Sequence, residues 1–345
     1  MRYIFVAFIF CHFWAYGQIG GIGTYKFLEL PNSARVAGMG GNLISVVDND
    51  LNLAYHNPAL LNEEMDKQLA LNYINYLLDI NFGYAAYAHH FDKIGQMAFG
   101  IHYINYGEFT GANETGTKNG TFTAAEYALN IIWAKPLIDS LLTVGVNIKP
   151  IISNLENYSS YGIACDIGLH YYNKNALFGI ALLVKNAGHQ LKPYYEEHYE
   201  PLPIDVQLGF SKRLAHAPFR FSLTFQHLQK WDMQYEIKET KRDLDGFGEK
   251  NEKSEFENFS DNFLRHTVWA VEFLPGKNFH LRMGYNHQRR KELVYDPKPG
   301  FTGLSWGVGL KIAKFFINYA RASYHIAGAS NHFSISTNLS HFYSK

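Results

Sequence analysis

From Gln68 to the C-terminus, apolar residues fall on alternate positions within segments of roughly ten residues, the period of an extended strand with one apolar and one polar face. Phe279, Leu281, Met283 and Tyr285 alternate with His280, Arg282, Gly284 and Asn286. Leu304, Trp306, Val308, Leu310 and Ile312 do so with Ser305, Gly307, Gly309 and Lys311. Ile204, Val206, Leu208 and Phe210 interleave with Asp205, Gln207, Gly209 and Ser211, and Phe219, Phe221, Leu223 and Phe225 with Arg220, Ser222, Thr224 and Gln226. The pattern predicts strands over 69–76, 80–91, 94–107, 122–136, 140–153, 157–173, 175–187, 203–214, 218–229, 263–274, 277–288, 302–312, 314–325 and 330–342. Turns near Asp92-Lys93, Leu137 to Asp139, Asn173-Lys174, Ala215-His216, Pro275-Gly276 and Ala313 are tight, whereas the connections 108–121, 188–202, 230–262 and 289–301 are long. About 14 strands, an even number with alternately short and long connections, spell an all-β transmembrane antiparallel β-barrel over residues 67–345. Short turns belong to the periplasmic rim of such a barrel, so both termini are expected on that side and the long loops outside the cell.

Composition agrees. Aromatics make up 16% of the 345 residues, charged residues 18%, and the formal net charge is zero, which disfavours a nucleic-acid binder or a disordered chain. Tyr and Phe at this level suit the interfacial girdles of a barrel. Residues 1–17 read as a secretory signal: Arg2, an apolar run from Ile4 to Trp14, then Ala15-Tyr16-Gly17 as a small-x-small cleavage site before Gln18. Cys11 lies within that run without the small residues of a lipoprotein signal, and cleavage leaves Cys165 alone, a wall residue without an intramolecular disulfide partner.

Residues 18–66 break the strand grammar. Small residues from Ala34 to Gly41 permit close backbone approach, and Asn57-Pro58 suits the start of a short helix with Pro at its first position. A segment of this size ahead of a wide cylinder can fold back into the lumen as a plug, with Arg35, Gly38, Met39, Gly40, Gly41, Asn57 and Pro58 as its structural residues. An arginine in a polar lumen demands a carboxylate, and Asp166, Asp205 and Glu272 are the candidates for Arg35.

Candidate chemistry is thin. No nucleophile, base and orienting group can be assembled from the sequence, so the chain reads as non-enzymatic, with no catalytic, metal or cofactor residues. His89-His90 are adjacent on a strand, so their rings point to opposite faces and cannot chelate together; a rim histidine beside aromatics is expected. Asp48-Asn49-Asp50 starts like a calcium loop but lacks the later glycine and glutamate, and reads as a turn. Arg289-Arg290-Lys291 reads as solvated loop charge, with lipopolysaccharide phosphates as the other candidate partner. Residues 108–121 read as a mobile polar loop, 188–202 as a stiffer Pro- and Tyr-rich one, and 230–262, with its mixed charges, as a solvated and partly helical excursion.

The run from Gly23 to Gly41, GTYKFLELPNSARVAGMGG, followed by Ser45-Val46-Val47-Asp48-Asn49-Asp50 and Asn57-Pro58-Ala59, resembles the amino-terminal signature of the PorV/PorQ family of the type IX secretion system, which are FadL-like outer-membrane barrels of Bacteroidetes-type bacteria. The Ala-Arg-x-Ala-Gly-Met-Gly-Gly and Asn-Pro-Ala pieces are shared by the wider FadL-like group, while Tyr-x-Phe-Leu-x-Leu-Pro-x-Ser-Ala-Arg resembles the PorQ branch. The specific match spans about Gly23 to Met65. The resemblance implies an attachment complex in which a PorU sortase joins exported cargo to lipopolysaccharide, PorV presents the cargo, and this chain anchors a PorZ-like surface protein. The rival expectation is FadL-like uptake of hydrophobic solutes, which requires an apolar path. Lumen-facing Ser, Gly, Asn, Gln, Arg and Asp argue against one, unless an apolar pocket forms near Phe178, Ile180 and Leu182.

Overall fold

The computed structural model describes residues 23–76, 78–138, 141–233, 254–292, 301–325 and 328–343. The expected signal segment, Cys11 and the charged runs 238–243 and 249–253 lie outside the described residues.

Fourteen strands form a closed antiparallel barrel: β1 (Gln68–Asn75), β2 (Asn81–Phe91), β3 (Gly95–Ala112), β4 (Lys118–Ile138), β5 (Leu142–Leu155), β6 (Tyr158–Asn173), β7 (Phe178–Lys192), β8 (Asp205–Arg213), β9 (Phe219–Phe225), β10 (Thr267–Phe273), β11 (Phe279–Asn286), β12 (Leu304–Ile312), β13 (Phe315–His325) and β14 (Gly328–Asn338). Each pairs with its sequence neighbours, and β1 closes on β14 from Gln68↔Asn338 to Asn75↔Asn331. Closure leaves no sheet edge, the only way a sheet can satisfy its backbone in hydrocarbon. The alternation read from the sequence is the alternation of the wall: Phe279, Leu281 and Met283 are exposed outward, while Arg282, Gly284 and Asn286 are buried inward. No helix among the described residues is long and apolar enough to cross a membrane; the strands do so.

Several connections differ from expectation. The 108–121 segment is largely strand, since β3 and β4 continue to Ala112 and from Lys118 as a projecting hairpin with register shifts at Asn105/Glu108 and Gly111/Ala112. Within it Phe109 stacks on its cross-strand partner Phe122 at 5.2 Å. β7 likewise runs on to Lys192. One rim therefore carries only tight turns, and the opposite rim carries three long connections, 193–204, 226–266 and 287–303, among shorter ones.

Two expected strands are shortened by helices. Residues 255–265 form helix α3 (Glu255–Arg265) instead of opening β10 at 263, because Ser254 and Glu257 make a capping box: the Glu257 N–H donates to Ser254 Oγ at 3.2 Å and the Ser254 N–H to Glu257 Oε2 at 3.1 Å. β11 ends at Asn286, where helix α4 (His287–Glu292) begins. Earlier in the chain lie helices α1 (Ala34–Gly38) and α2 (Asn52–His56).

Candidate functional site

Residues 23–66 run inside the barrel, buried almost throughout against the inward faces of the wall. So short a helix as α1 cannot satisfy its own first N–H groups, and the wall serves one: the Ala34 N–H donates to Ser334 Oγ at 2.8 Å; beyond the end of α1 the Gly40 N–H donates to Ser305 Oγ at 3.0 Å. Gly40 and Gly41 have φ of +89° and +97°, a left-handed turn that side chains resist. Gly40 also lies against Gly284 of β11 so closely that a Cβ on Gly284 would overlap its nitrogen; Gly38 meets Gly307 of β12. Met39 is fully buried with Val36, Leu43, Val46, Leu53 and Leu60. Asn57 caps the Pro58–Leu60 turn, accepting from the Ala59 N–H at 3.0 Å and donating to Ile44 O at 2.8 Å, and Pro58 packs on Gly145 of β5. Six of the seven residues singled out in this segment, all but Arg35, thus serve close packing against β5, β11 and β12 and against the segment itself.

Arg35 is the centre of a buried ionic lattice. Its Nε donates to Glu272 Oε1 at 3.1 Å, Nη1 to Asp48 Oδ1 at 2.9 Å and Asp50 Oδ2 at 3.1 Å, and Nη2 to Asp48 Oδ2 at 2.6 Å. Of the three candidate partners only Glu272, on β10, is used. Glu272 also accepts from Arg220 Nε of β9 at 2.7 Å and from Arg282 Nε of β11 at 2.9 Å, and Arg220 Nη2 returns to Asp48 Oδ2 at 3.1 Å. Three guanidinium groups face three carboxylates, so the lattice is electrically balanced, and planar forks let each arginine bridge partners from different elements. Asp48 and Asp50 do shape a turn, their Oδ1 atoms accepting the Asp50 and Asn52 N–H groups, but their remaining capacity goes to arginine. Among the described residues no metal-holding cluster of His, Cys, Asp or Glu occurs.

Asp166 and Asp205 serve the wall. Asp166 Oδ1 is 2.7 Å from Lys149 Nζ, which also donates to Asn186 Oδ1 at 2.6 Å. Asp205 accepts from the His227 N–H at 2.6 Å and Gln207 Nε2 at 2.5 Å. Tyr55 of α2 stands between Lys149 and Lys185, whose ammonium groups lie 5.6 and 5.1 Å from its ring centre, and its hydroxyl contacts His102 Nδ1 at 2.9 Å.

The free space beside the segment is polar. A vestibule of about 540 Å³ opens at the tight-turn rim, with Arg35, Arg220 and Arg282 deep within it and Arg213, Lys277 and Lys311 around it. A smaller one of about 170 Å³ lies at the other rim, beside Asn42, Lys185, Asp205 and Arg289. The lumenal apolar pocket left open near Phe178, Ile180 and Leu182 does not form there: register turns those three outward, Leu182 being 45% exposed, and Ala181 and Leu183 inward. Phe178 instead lines an apolar groove of about 580 Å³ on the outer wall, with Phe210, Phe221, Trp269 and Met283.

At the long-loop rim the basic run is engaged by protein. Arg289 Nη1 donates to Gly40 O at 3.2 Å, and Lys291 Nζ stands 3.1 Å from Asp261 Oδ1 of α3, which also meets Arg265 and His287. Burial would raise the Asp261 carboxyl, but these three donors outweigh it and hold it down at about 2. Burial lowers the His287 imidazole, with Asp261 opposing. His89 contacts Tyr87 and Phe91 and sits 3.3 Å from Asp66, a rim histidine among aromatics. Cys165 is a half-buried, unpaired residue of β6.

A closed fourteen-stranded barrel with a folded segment in its lumen is the FadL-like fold of outer-membrane proteins. No protein-family model and no curated protein matches the chain. Among solved structures it is similar to the Ralstonia pickettii toluene transporter TbuX, at 12% identity and a TM-score of 0.50 over 90% of this chain and 99% of that one. The Pseudomonas putida toluene transporter TodX matches at 12% identity and a TM-score of 0.46, covering 89% of this chain and 96% of that one.

Proposed function

We propose that this chain is a non-enzymatic outer-membrane barrel, plugged by residues 18–66, that anchors a soluble surface protein at its long-loop rim. In this reading it is a PorQ-like component of a type IX secretion attachment complex, holding a PorZ-like partner near the PorU sortase and PorV, with its tight-turn rim and termini in the periplasm. The observation that carries the reading is the lattice joining Arg35 to β9, β10 and β11 through Glu272. A conduit must open, and displacing this segment would break the pairs of Arg35 with Glu272 and of Asp48 with Arg220, leaving two buried wall arginines, Arg220 and Arg282, on one carboxylate. The Gly23–Gly41 resemblance supplies the family.

A second reading, passage of hydrophobic solutes, is the one the likeness to a toluene transporter favours. The apolar groove on the outer wall belongs to that reading, the polar lumen to the first. Reconstitution in liposomes separates them. The anchor reading expects no uptake of labelled monoaromatic hydrocarbon or fatty acid above protein-free liposomes, and one-to-one retention of a purified PorZ-like protein by the barrel. Saturable uptake with no such retention would replace it with transport.

A further inference from the structure

Among the described residues, the aromatic side of helix α3 is left largely uncovered. Phe256, Phe259 and Phe263, spaced three and four apart, share one face, and Phe256 and Phe259 are 78% and 56% exposed. The opposite face is taken: Asp261 and Arg265 pair with each other, and Asp261 meets His287 and Lys291 of α4. The helix is also tied down from the side, Asn262 Nδ2 donating to Trp231 O at 2.7 Å and Asn262 Oδ1 accepting from the Met233 N–H at 2.9 Å. Its orientation is therefore set by polar contacts, and the phenylalanines are left outward.

What they face follows from the wall below. Phe225 ends β9 on the outward, apolar side. It meets Phe210 of β8 at 6.3 Å below and Phe263 of α3 at 5.8 Å above, so one aromatic ladder climbs from the membrane-facing wall onto the helix. Trp231 joins it, 5.7 Å from Phe259, and Trp269 of β10 lies on the wall with its indole N–H on Thr267, the residue whose hydroxyl donates to Leu264 O of α3. Aromatic rings at this height are what membrane interfaces collect. We infer that α3 is an interfacial helix whose Phe256, Phe259 and Phe263 face seats in the lipid leaflet around the long-loop rim, extending the girdle of the barrel. An amphipathic helix lying in the interface plane buries its apolar face at the headgroup and acyl boundary. The inference rests on the membrane-spanning reading of the barrel, and the occupant it names is lipid hydrocarbon.

The test uses the full chain carrying Cys165→Ala, with single nitroxide-labelled cysteines at Phe256→Cys, Asn258→Cys and, on the wall, Leu281→Cys. The protein is placed in nanodiscs of phosphatidylethanolamine and phosphatidylglycerol, and collision with dissolved oxygen is compared with collision with a water-soluble nickel chelate. Positions 281 and 256 are expected to favour oxygen several-fold and 258 the chelate. Chelate access at 256 equal to that at 258, with 281 still in lipid, would overturn the inference alone. Chelate access at 281 as well would overturn the membrane reading beneath it. Chelate access at 256 that a soluble surface protein abolishes would make the face a protein-docking site and overturn the lipid assignment. Phe256 is mostly exposed, so its replacement leaves folding intact.

Discussion

Two buried ionic clusters lie in the same lumen and are built on opposite principles. On the β9 to β11 side, three arginines and three carboxylates balance, and Asp48 and Glu272 are each shared between arginines of different elements. On the β5 to β7 side, Asp166 pairs with Lys149 alone, and Lys185 stands opposite Asp205 in the β7 to β8 register without an ion pair to it. Lys185, 3% exposed, has the Tyr55 ring as its near neighbour and makes no hydrogen bond or ion pair among the described residues. A planar guanidinium can join the N-terminal segment to two strands at once, whereas an ammonium is a point charge that meets its partner or does not. The first cluster is thereby a lock across elements, and the second is a wall feature that touches the segment only through a ring.

The largest effect expected from this contrast is that of Glu272→Ala. It leaves Arg35, Arg220 and Arg282 without their common acid, and should cost about 3–5 kcal/mol, read as a lowered urea midpoint in detergent micelles and as protease access to residues 23–66. Equal protection in the variant would break the idea of a lock. Lys149→Met should cost somewhat less, about 3 kcal/mol, because Asp166 keeps the bonds from the Asn186 N–H and Asn147. Lys185→Met sharpens the comparison: with no pair to break, it should be neutral or stabilising within about 1 kcal/mol. A loss as large as that of Lys149→Met would mean the two lysines are equivalent.

Arg35→Lys keeps the charge but not the fork. One carboxylate remains served and the others lose their hydrogen bonds to residue 35, for an expected loss of about 1–2 kcal/mol, again by urea titration. The smallest effect lies at the rim. Asp261 has its carboxyl held below the ordinary value, so its contribution is complete above about pH 4 and fades as pH falls through about 2. Amide exchange of α3 should accelerate over that interval while that of β10 does not.

Much of this was legible in advance, for local reasons. Alternation with period two is a property of each strand's own residues, so fourteen strands and their outward faces can be read without knowing what pairs with what. The Ser254 to Glu257 capping box and the three-four spacing of Phe256, Phe259 and Phe263 were equally local and could have announced α3, but the apolar positions from 263 onward suit a strand as well. The hairpin extension at Ala112 and Lys118 was hidden by its Gly, Thr and Asn content. The outward turn of Phe178, Ile180 and Leu182 is a question of register, where one residue of slip exchanges the faces.

The partners of Arg35 belong to another category. That a buried arginine needs an acid follows from the sequence and electrostatics. That the acid is Glu272, 237 positions away, and not Asp166 or Asp205, follows only once closure of β1 on β14 has set which strands face the segment. The strands, their two faces and the small-residue turn at Gly40 and Gly41 were determined by the sequence itself, because each depends on neighbours along the chain. Which charges meet in the lumen was decided by the tertiary structure, because distance through the barrel is unrelated to distance along the chain.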